Sequence, residues 1–125
     1  MGLGDDADEA RARQEAEYAA ELAQRRQNWA AVDGLVKEFV AEAVARNTRK
    51  ARGVFMNRRY WQVRSAESEG DYLVIWPNGK WELRRDSGAD SYQSLAWWRD
   101  PDKGPRGANP VDGLREGALR LLNSC

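Results

Sequence analysis

The sequence predicts an α+β fold with a long N-terminal helix, an antiparallel meander of three strands and a short C-terminal helix. Residues 5–46 contain no proline and are rich in alanine, which favours a helix. Alternating apolar residues flank Asn78-Gly79, a pattern typical of a β-hairpin. Asn109-Pro110 precedes apolar residues at helical spacing, which indicates a second helix.

The long helix is predicted over residues 5–46, and acidic residues crowd its start, where the helix dipole favours negative charge. Apolar residues recur at steps of three and four only in its second half, as at Trp29, Val36 and Phe39. Gly34 is a candidate for a bend or a close approach. A helix of this length spans about 60 Å and a strand about 20 Å, so the N-terminal half is predicted to project as an arm.

Because the arm projects, we expect only the second half of the long helix to belong to the folded domain. Residues 1–46 form the long helix, and its part from 28 to 46 belongs to one domain with residues 47–125.

The projecting helix also carries a stripe with the alternating spacing of paired helices. The stripe predicts a coiled-coil surface for a protein partner and a homodimer through the N-terminal helix. Folding back of the helix at Gly34, which would bury the same residues within one chain, is the alternative. The stripe consists of Tyr18, Leu22, Trp29, Val32 and Val36.

The three strands are predicted from two turns. A two-residue turn at Asn78-Gly79 pairs Trp76 with Trp81 and Val74 with Leu83. A loop over residues 65–70 makes residues 54–64 the first strand. Leu73 and Ile75 then belong to a mixed face beside Tyr60, Gln62, Lys80, Glu82 and Arg84. The predicted core face holds Trp61, Val63, Tyr72, Val74, Trp76, Trp81 and Leu83.

Residues 91–98 are a candidate fourth strand. Trp97 and Trp98 are adjacent in it, and adjacent residues of a strand point to opposite faces. One of them is therefore expected under the C-terminal helix or at a partner surface. The chain then closes with the helix that Asn109 caps, whose apolar face is formed by Val111, Leu114, Ala118 and Leu121, with Leu122 beside it.

The composition argues against an enzyme. The chain has no histidine, so the commonest general base and metal ligand are missing. Its one cysteine, Cys125, cannot form a thiolate zinc site or a redox pair alone, and no glycine-rich phosphate motif is present. The aspartates at 86, 90, 100 and 102 are expected to be solvated. We therefore predict no catalytic residue, no cofactor and no metal site.

The formal net charge is zero, and no apolar run reaches membrane-spanning length. We expect a cytoplasmic protein that does not bind membranes. The arginine and alanine bias is typical of a high-GC bacterial genome.

The positive charge is concentrated in residues 46–64, which hold seven basic and no acidic side chains. Basic residues interleaved with aromatic ones are typical of a surface that contacts phosphates and stacks on bases. The alternative is that these basic side chains are simply solvated and that those near residue 46 favour the dipole at the C-terminus of the long helix. Basic residues of the mixed sheet face extend this surface. The candidate nucleic-acid-binding residues are therefore Arg49, Lys50, Arg52, Arg58, Arg59, Tyr60, Arg64, Lys80 and Arg84.

The sequence is compatible with two functions. The first is a non-enzymatic binding or adaptor protein that acts through protein contacts at Tyr18, Leu22, Trp29, Trp97 and Trp98, since tryptophan and tyrosine are frequent hot-spot residues. The alternative is a small DNA- or RNA-binding module that uses residues 46–64 and the exposed sheet face.

Overall fold

The computed structural model describes residues 2–52, 59–89, 91–107 and 109–124. The predicted long helix and short C-terminal helix are both confirmed, with an antiparallel sheet between them. The elements in chain order are α1 (Leu3–Ala45), β1 (Ala51–Arg52), β2 (Arg59–Arg64), β3 (Asp71–Ile75), β4 (Trp81–Gly88), β5 (Ser91–Trp97), a 3-10 turn (Pro101–Lys103) and α2 (Pro110–Leu122).

The sheet is a meander of five antiparallel strands in the order β1-β2-β3-β4-β5, so the prediction of three or four strands was too low. The candidate fourth strand is present as β5. The strand that the sequence did not predict is β1, which is described over residues 51 and 52 and pairs Ala51 with Tyr60. Part of the predicted first strand, including Arg58, lies outside the described residues.

The register predicted for the hairpin was wrong by one residue. Leu73 lies opposite Leu83 and Ile75 opposite Trp81. The loop has three residues rather than two, because the Gly79 N–H donates to the Trp76 carbonyl and the Trp76 N–H donates to the Lys80 carbonyl, both at 2.9 Å.

The residues of this loop explain its geometry. Pro77 fits the second position of a type I turn, and Gly79 then adopts a φ of 88°, as in the bulged three-residue hairpin. A two-residue type I′ turn would also need a positive φ at Asn78, and Asn78 has none.

The predicted loop over residues 65–70 would place Trp61 opposite Val74 and Val63 opposite Tyr72. The β2–β3 pairing is also shifted by one residue, since Trp61 lies opposite Ile75 and Val63 opposite Leu73. A slip of one residue moves a strand's side chains to the opposite face. Leu73 and Ile75 therefore join the core cluster, contrary to the prediction. Tyr72 and Val74 are buried as predicted but lie outside this cluster, and Trp76 is half-buried. The placements of Trp61, Val63, Trp81 and Leu83 in the core are confirmed.

One hydrophobic core lies between the sheet and both helices. We call the sheet face that lines it the inner face; α1 contributes Val32, Val36 and Phe39, and α2 contributes Leu114 and Ala118. Burial of each large apolar side chain contributes about 1.5–3 kcal/mol. The inner face consists of Trp61, Val63, Leu73, Ile75, Trp81, Leu83 and Ala96. Among the described elements, no helix covers the opposite, outer face.

The helix α1 extends beyond this core. Every residue from Gly2 to Glu21 is exposed, and burial begins around Leu22 and Arg25. The helix runs unbroken through Gly34, which is exposed and has no neighbouring atom within 4 Å of the position of a Cβ. The described helix therefore forms no hairpin and no close approach at Gly34. Of the two described helices, α1 is too polar and α2 too short to cross a membrane.

Candidate functional site

The outermost strand, β5, presents a long sheet edge. Its seven residues include no charged residue and no proline, which are the usual means of protecting an edge strand from further pairing. Apart from the ladder with β4, the backbone groups of residues 92–96 make no hydrogen bond within the described residues. Of the opposite edge strand, β1, residues 51 and 52 are described, and they include Arg52. Among the described edges, β5 is thus the one that offers a long uncharged stretch to another strand.

Two exposed aromatic side chains project from β5 on the outer face. Tyr92 is 47% exposed and Trp97 is 40% exposed. The Arg84 guanidinium lies over the Tyr92 ring, 4.0 Å from its centroid, and that of Arg99 lies 5.7 Å from the centroid of Trp97. Tyrosine, tryptophan and arginine dominate the binding energy of many protein interfaces.

A cleft of about 600 Å³ lies along the other side of β5, between the inner face and the loop that leads into α2. Strand β5 contributes Gln93, Ser94 and Leu95 to it. The remaining lining is Arg25, Ser65, Ser68, Asp71, Leu83, Arg85, Gly104, Pro105, Arg106, Gly107, Asn109, Pro110 and Leu114.

The loop wall of this cleft is fixed to α1 by two polar side chains. The buried Asn28 donates from Nδ2 to the carbonyls of Pro105 at 2.7 Å and Gly107 at 2.9 Å. The Arg25 Nε donates to the Gly104 carbonyl at 3.0 Å. The backbones are so close that a Cβ on Gly104 would lie 1.9 Å from the Arg25 carbonyl oxygen. The wall is therefore preorganised.

The cleft is positively charged, because three arginines and one aspartate line it. Arg85 and Asp71 neutralise each other through two hydrogen bonds of 2.7 and 3.2 Å, which raise the pKa of Arg85. Arg106 lies 3.5 Å from Glu21, and 76% of its side chain is exposed. Arg25 has no carboxylate within 4.0 Å among the described residues. Of the three lining arginines, Arg25 is thus the one without a carboxylate partner in the described part of the chain, and Arg106 has an exposed one.

The structure separates the predicted partner-binding residues. Tyr18 is 69% exposed on the arm, and Leu22 is half-buried where the arm meets the body. Trp29 packs against Trp81, with ring centroids 6.0 Å apart, and donates from Nε1 to the Trp97 carbonyl. Trp98 is half-buried, with the Lys80 ammonium 4.6 Å from its ring centroid. Trp97 is therefore the predicted partner residue that lies on the β5 edge itself.

The rest of the predicted helix stripe is not available to a partner. Val32 and Val36 have no exposed surface, because they pack against the sheet of the same chain. Only Tyr18 and Leu22 remain as large apolar side chains of the stripe beyond the body.

Part of the predicted nucleic-acid-binding set comes together at the C-terminal end of α1. Arg49, Lys50, Arg52 and Arg59 line a concave surface that encloses about 810 Å³ with Asn47, Thr48 and Ala51, and its described lining includes no acidic residue. The Lys50 ammonium lies 4.8 Å from the ring centroid of Trp61.

The other predicted members of this set lie on the sheet. Tyr60 is half-buried beside β1. Arg64 pairs with Asp86 at 3.3 Å and also lies over the Tyr72 ring. Arg84 donates to Glu82, so both outer-face arginines are already paired with carboxylates. Arg58 lies outside the described residues.

Within the described ranges, no three histidine, cysteine, aspartate or glutamate side chains are grouped to hold a metal ion. Asp86 and Asp102 are paired with arginines, and Asp100 lies 3.8 Å from Lys103. Asp90 is not among the described residues.

Sequence reasoning missed Arg25, Asn28 and Arg106. The sequence does contain an indication for Asn28, since this residue lies four positions before Val32 on the apolar stripe of α1, and a polar residue there needs a buried hydrogen-bond partner. No sequence pattern links Arg25 to Arg106, because they are 81 positions apart. Only packing of the loop on α1 brings them to one cleft.

Comparison of the chain with protein-family models, curated proteins and solved structures finds no match.

Proposed function

We propose that this protein is a non-enzymatic binding or adaptor protein that recognises an extended segment of a partner protein along β5. The observation that carries the proposal is the seven-residue β5 edge, which has neither charge nor proline and has none of the other described strands on its outer side. In strand addition, backbone hydrogen bonds supply affinity, and pockets for alternate side chains supply specificity.

The surroundings of β5 suit this role. Each backbone hydrogen bond to an added strand contributes a net 0.5–1.5 kcal/mol or so. An added strand would place alternate side chains on its two faces, beside Tyr92 and Trp97 on one side and towards the cleft on the other. The absence of histidine and the single cysteine agree with a binding role.

The test is selection of binders from a displayed library of random linear decapeptides, with one variant that blocks the edge. Ser94→Lys introduces a charge at an exposed position of β5, and such charges protect natural edge strands. We expect selected peptides to bind the wild type and to lose most of their affinity for this variant. Amide hydrogen exchange of residues 91–97 should slow when a peptide binds.

The matched control is Ser124→Lys, which adds the same charge at an exposed position beyond α2. It should bind the selected peptides like the wild type. Selected peptides that leave exchange in β5 unchanged, or that bind Ser94→Lys equally well, would contradict strand addition.

The second candidate function is binding of single-stranded DNA or RNA, and it is favoured by the concave surface formed by Arg49, Lys50, Arg52 and Arg59. Counterion release makes such binding fall steeply with salt. We would measure the affinity for a 20-nucleotide oligothymidylate between 50 and 200 mM salt. The double variant Arg49→Ala, Arg52→Ala should weaken binding and flatten the salt dependence.

The control for this measurement is the pair Arg115→Ala and Arg120→Ala, which removes the same charge from exposed positions on α2. Equal losses in both double variants would indicate a non-specific charge effect rather than a site at the concave surface.

Self-association through the arm is a separate proposal, supported by the exposed Tyr18 and the half-buried Leu22. Sedimentation at tens of micromolar should then show a dimer that Leu22→Glu dissociates. A monomer whose sedimentation is unaffected by Leu22→Glu would exclude this dimer.

A further inference from the structure

We infer that the segment bound along β5 carries an acidic side chain, and that its carboxylate enters the cleft and is held by Arg25 and Arg106. The inference rests on the proposed strand addition and specifies the class of partner, an extended acidic segment of another protein. It follows from the position, charge and rigidity of the cleft.

The position of the cleft makes it accessible to an added strand. Gln93, Ser94 and Leu95 belong both to the edge strand and to the cleft lining. Successive side chains of a strand point to opposite faces, so a strand added to β5 directs every second side chain to the inner side, where the cleft lies.

The charge of the cleft selects a carboxylate. Arg85 and Asp71 already satisfy each other, whereas Arg25 has no carboxylate partner within the described part of the chain. A guanidinium offers five donors in a planar fork, and the Arg25 Nε uses one on the Gly104 carbonyl. The other donors suit a carboxylate, which accepts paired hydrogen bonds from arginine.

The rigidity of the cleft reduces the entropic cost of binding. The loop wall is fixed to α1 by Asn28 and Arg25, so the Arg25 guanidinium is oriented before the ligand arrives. Arg106 is more exposed and shares a 3.5 Å contact with Glu21, which a ligand carboxylate can replace because exposed ion pairs are weak.

A second copy of this chain does not meet these requirements. Its β5 contains no charged residue, so pairing of two β5 edges would leave Arg25 and Arg106 without a carboxylate. Charge complementarity therefore favours a different, acidic partner over self-association at this edge.

The first experiment tests the cleft without any peptide. N-acetylglutamate N-methylamide is titrated into the ¹⁵N-labelled protein, and the Nε–Hε resonances of arginine are followed by NMR. We expect a saturable shift of the Arg25 resonance and no shift with N-acetylglutamine N-methylamide at the same concentration. Identical responses to both probes would overturn the inference.

The second experiment repeats the decapeptide selection on the wild type and on Arg106→Gln. Arg106→Gln removes a charge from an exposed side chain and is not expected to affect folding. We expect aspartate or glutamate to be enriched at one peptide position with the wild type only. Replacing that residue by its amide should weaken wild-type binding about tenfold, and the variant should not discriminate between the two peptides.

The control is Arg115→Gln, an exposed arginine of α2 that contacts Glu38 rather than the cleft; it should retain the acidic preference. Peptides that protect β5 without any acidic preference would overturn the carboxylate site and leave strand addition intact. A glutamate-specific shift of Arg25 without any peptide that protects β5 would instead refute strand addition, and with it the acidic partner segment.

Discussion

At the scale of single residues, Asn28 determines the shape of the candidate site. It is a polar residue on the packing stripe of α1, and it is 4% exposed. Its Nδ2 satisfies two loop carbonyls, and its Oδ1 accepts a hydrogen bond from the Gln24 Nε2. A buried amide is tolerated only when its donors and acceptors are satisfied. The same bonds hold the loop in the position that forms the cleft wall.

The first prediction concerns Gly104→Ala. The added methyl group would overlap the Arg25 carbonyl, because the Cβ would lie 1.9 Å from that oxygen, so the loop must move away from α1. We expect a loss of about 1–3 kcal/mol in the free energy of unfolding, measured by urea denaturation. Gly34→Ala is the control; it lies on an open helix surface and should stabilise the protein by up to about 1 kcal/mol. Equal effects of the two substitutions would contradict the close approach.

At the scale of elements, the three-residue hairpin loop sets the register of the whole meander. Gly79 has a φ of 88°, which a β-branched residue adopts only at high cost. We expect Gly79→Val to lower the free energy of unfolding by about 1–3 kcal/mol. Thermal unfolding checks this, and a change of less than about one degree would mean that the turn tolerates an ordinary side chain.

The 3-10 turn before α2 is linked to α1 by an exposed ion pair, and the contribution of this pair to stability depends on pH. The Arg26 Nε donates to Asp102 at 2.6 Å, and this hydrogen bond lowers the pKa of Asp102. A carboxyl group whose pKa is lower in the folded than in the unfolded state stabilises the fold above its unfolded pKa of about 3.9 and loses that contribution as the pH falls further.

The corresponding prediction is that Arg26→Ala raises the pKa of Asp102 towards its ordinary value. An NMR titration of the Asp102 side-chain carboxyl carbon in both proteins measures this change directly. The stability difference between the two proteins should shrink as the pH falls below about 4, and it should vanish once the pH is below the lowered pKa of Asp102, where the carboxyl group is protonated in both. An unchanged pKa in the variant would show that the ion pair does not form in solution.

At the scale of the whole molecule, the arm and the body are energetically distinct. Residues from Gly2 to Glu21 are exposed throughout, so they contribute little apolar burial. Deletion of residues 1–17 should therefore change the melting temperature by less than about 2 °C. Calorimetry of the truncated chain provides the measurement. A large loss of stability would show that the arm packs on the body or on a second chain.

The helices and the hairpin could be predicted from local patterns. Alanine content, the absence of proline and the acidic start predict α1, and Asn109-Pro110 predicts the start of α2, because these signals act within one or two helical turns. The apolar stripe from Val32 to Phe39 likewise predicts the face of α1 that is buried in the core.

The sequence by itself thus determined both helices, strands β2 to β5 and most of the core residues, because backbone propensity and apolar spacing are local properties. Only the folded structure showed the register, since two-residue and three-residue turns share the Asn78-Gly79 pattern, and the choice between them shifts every pair by one position. The cleft was likewise decided by tertiary packing. Arg25 and Arg106 are distant in sequence, and the loop joins them only through hydrogen bonds that Arg25 and Asn28 make to its carbonyls.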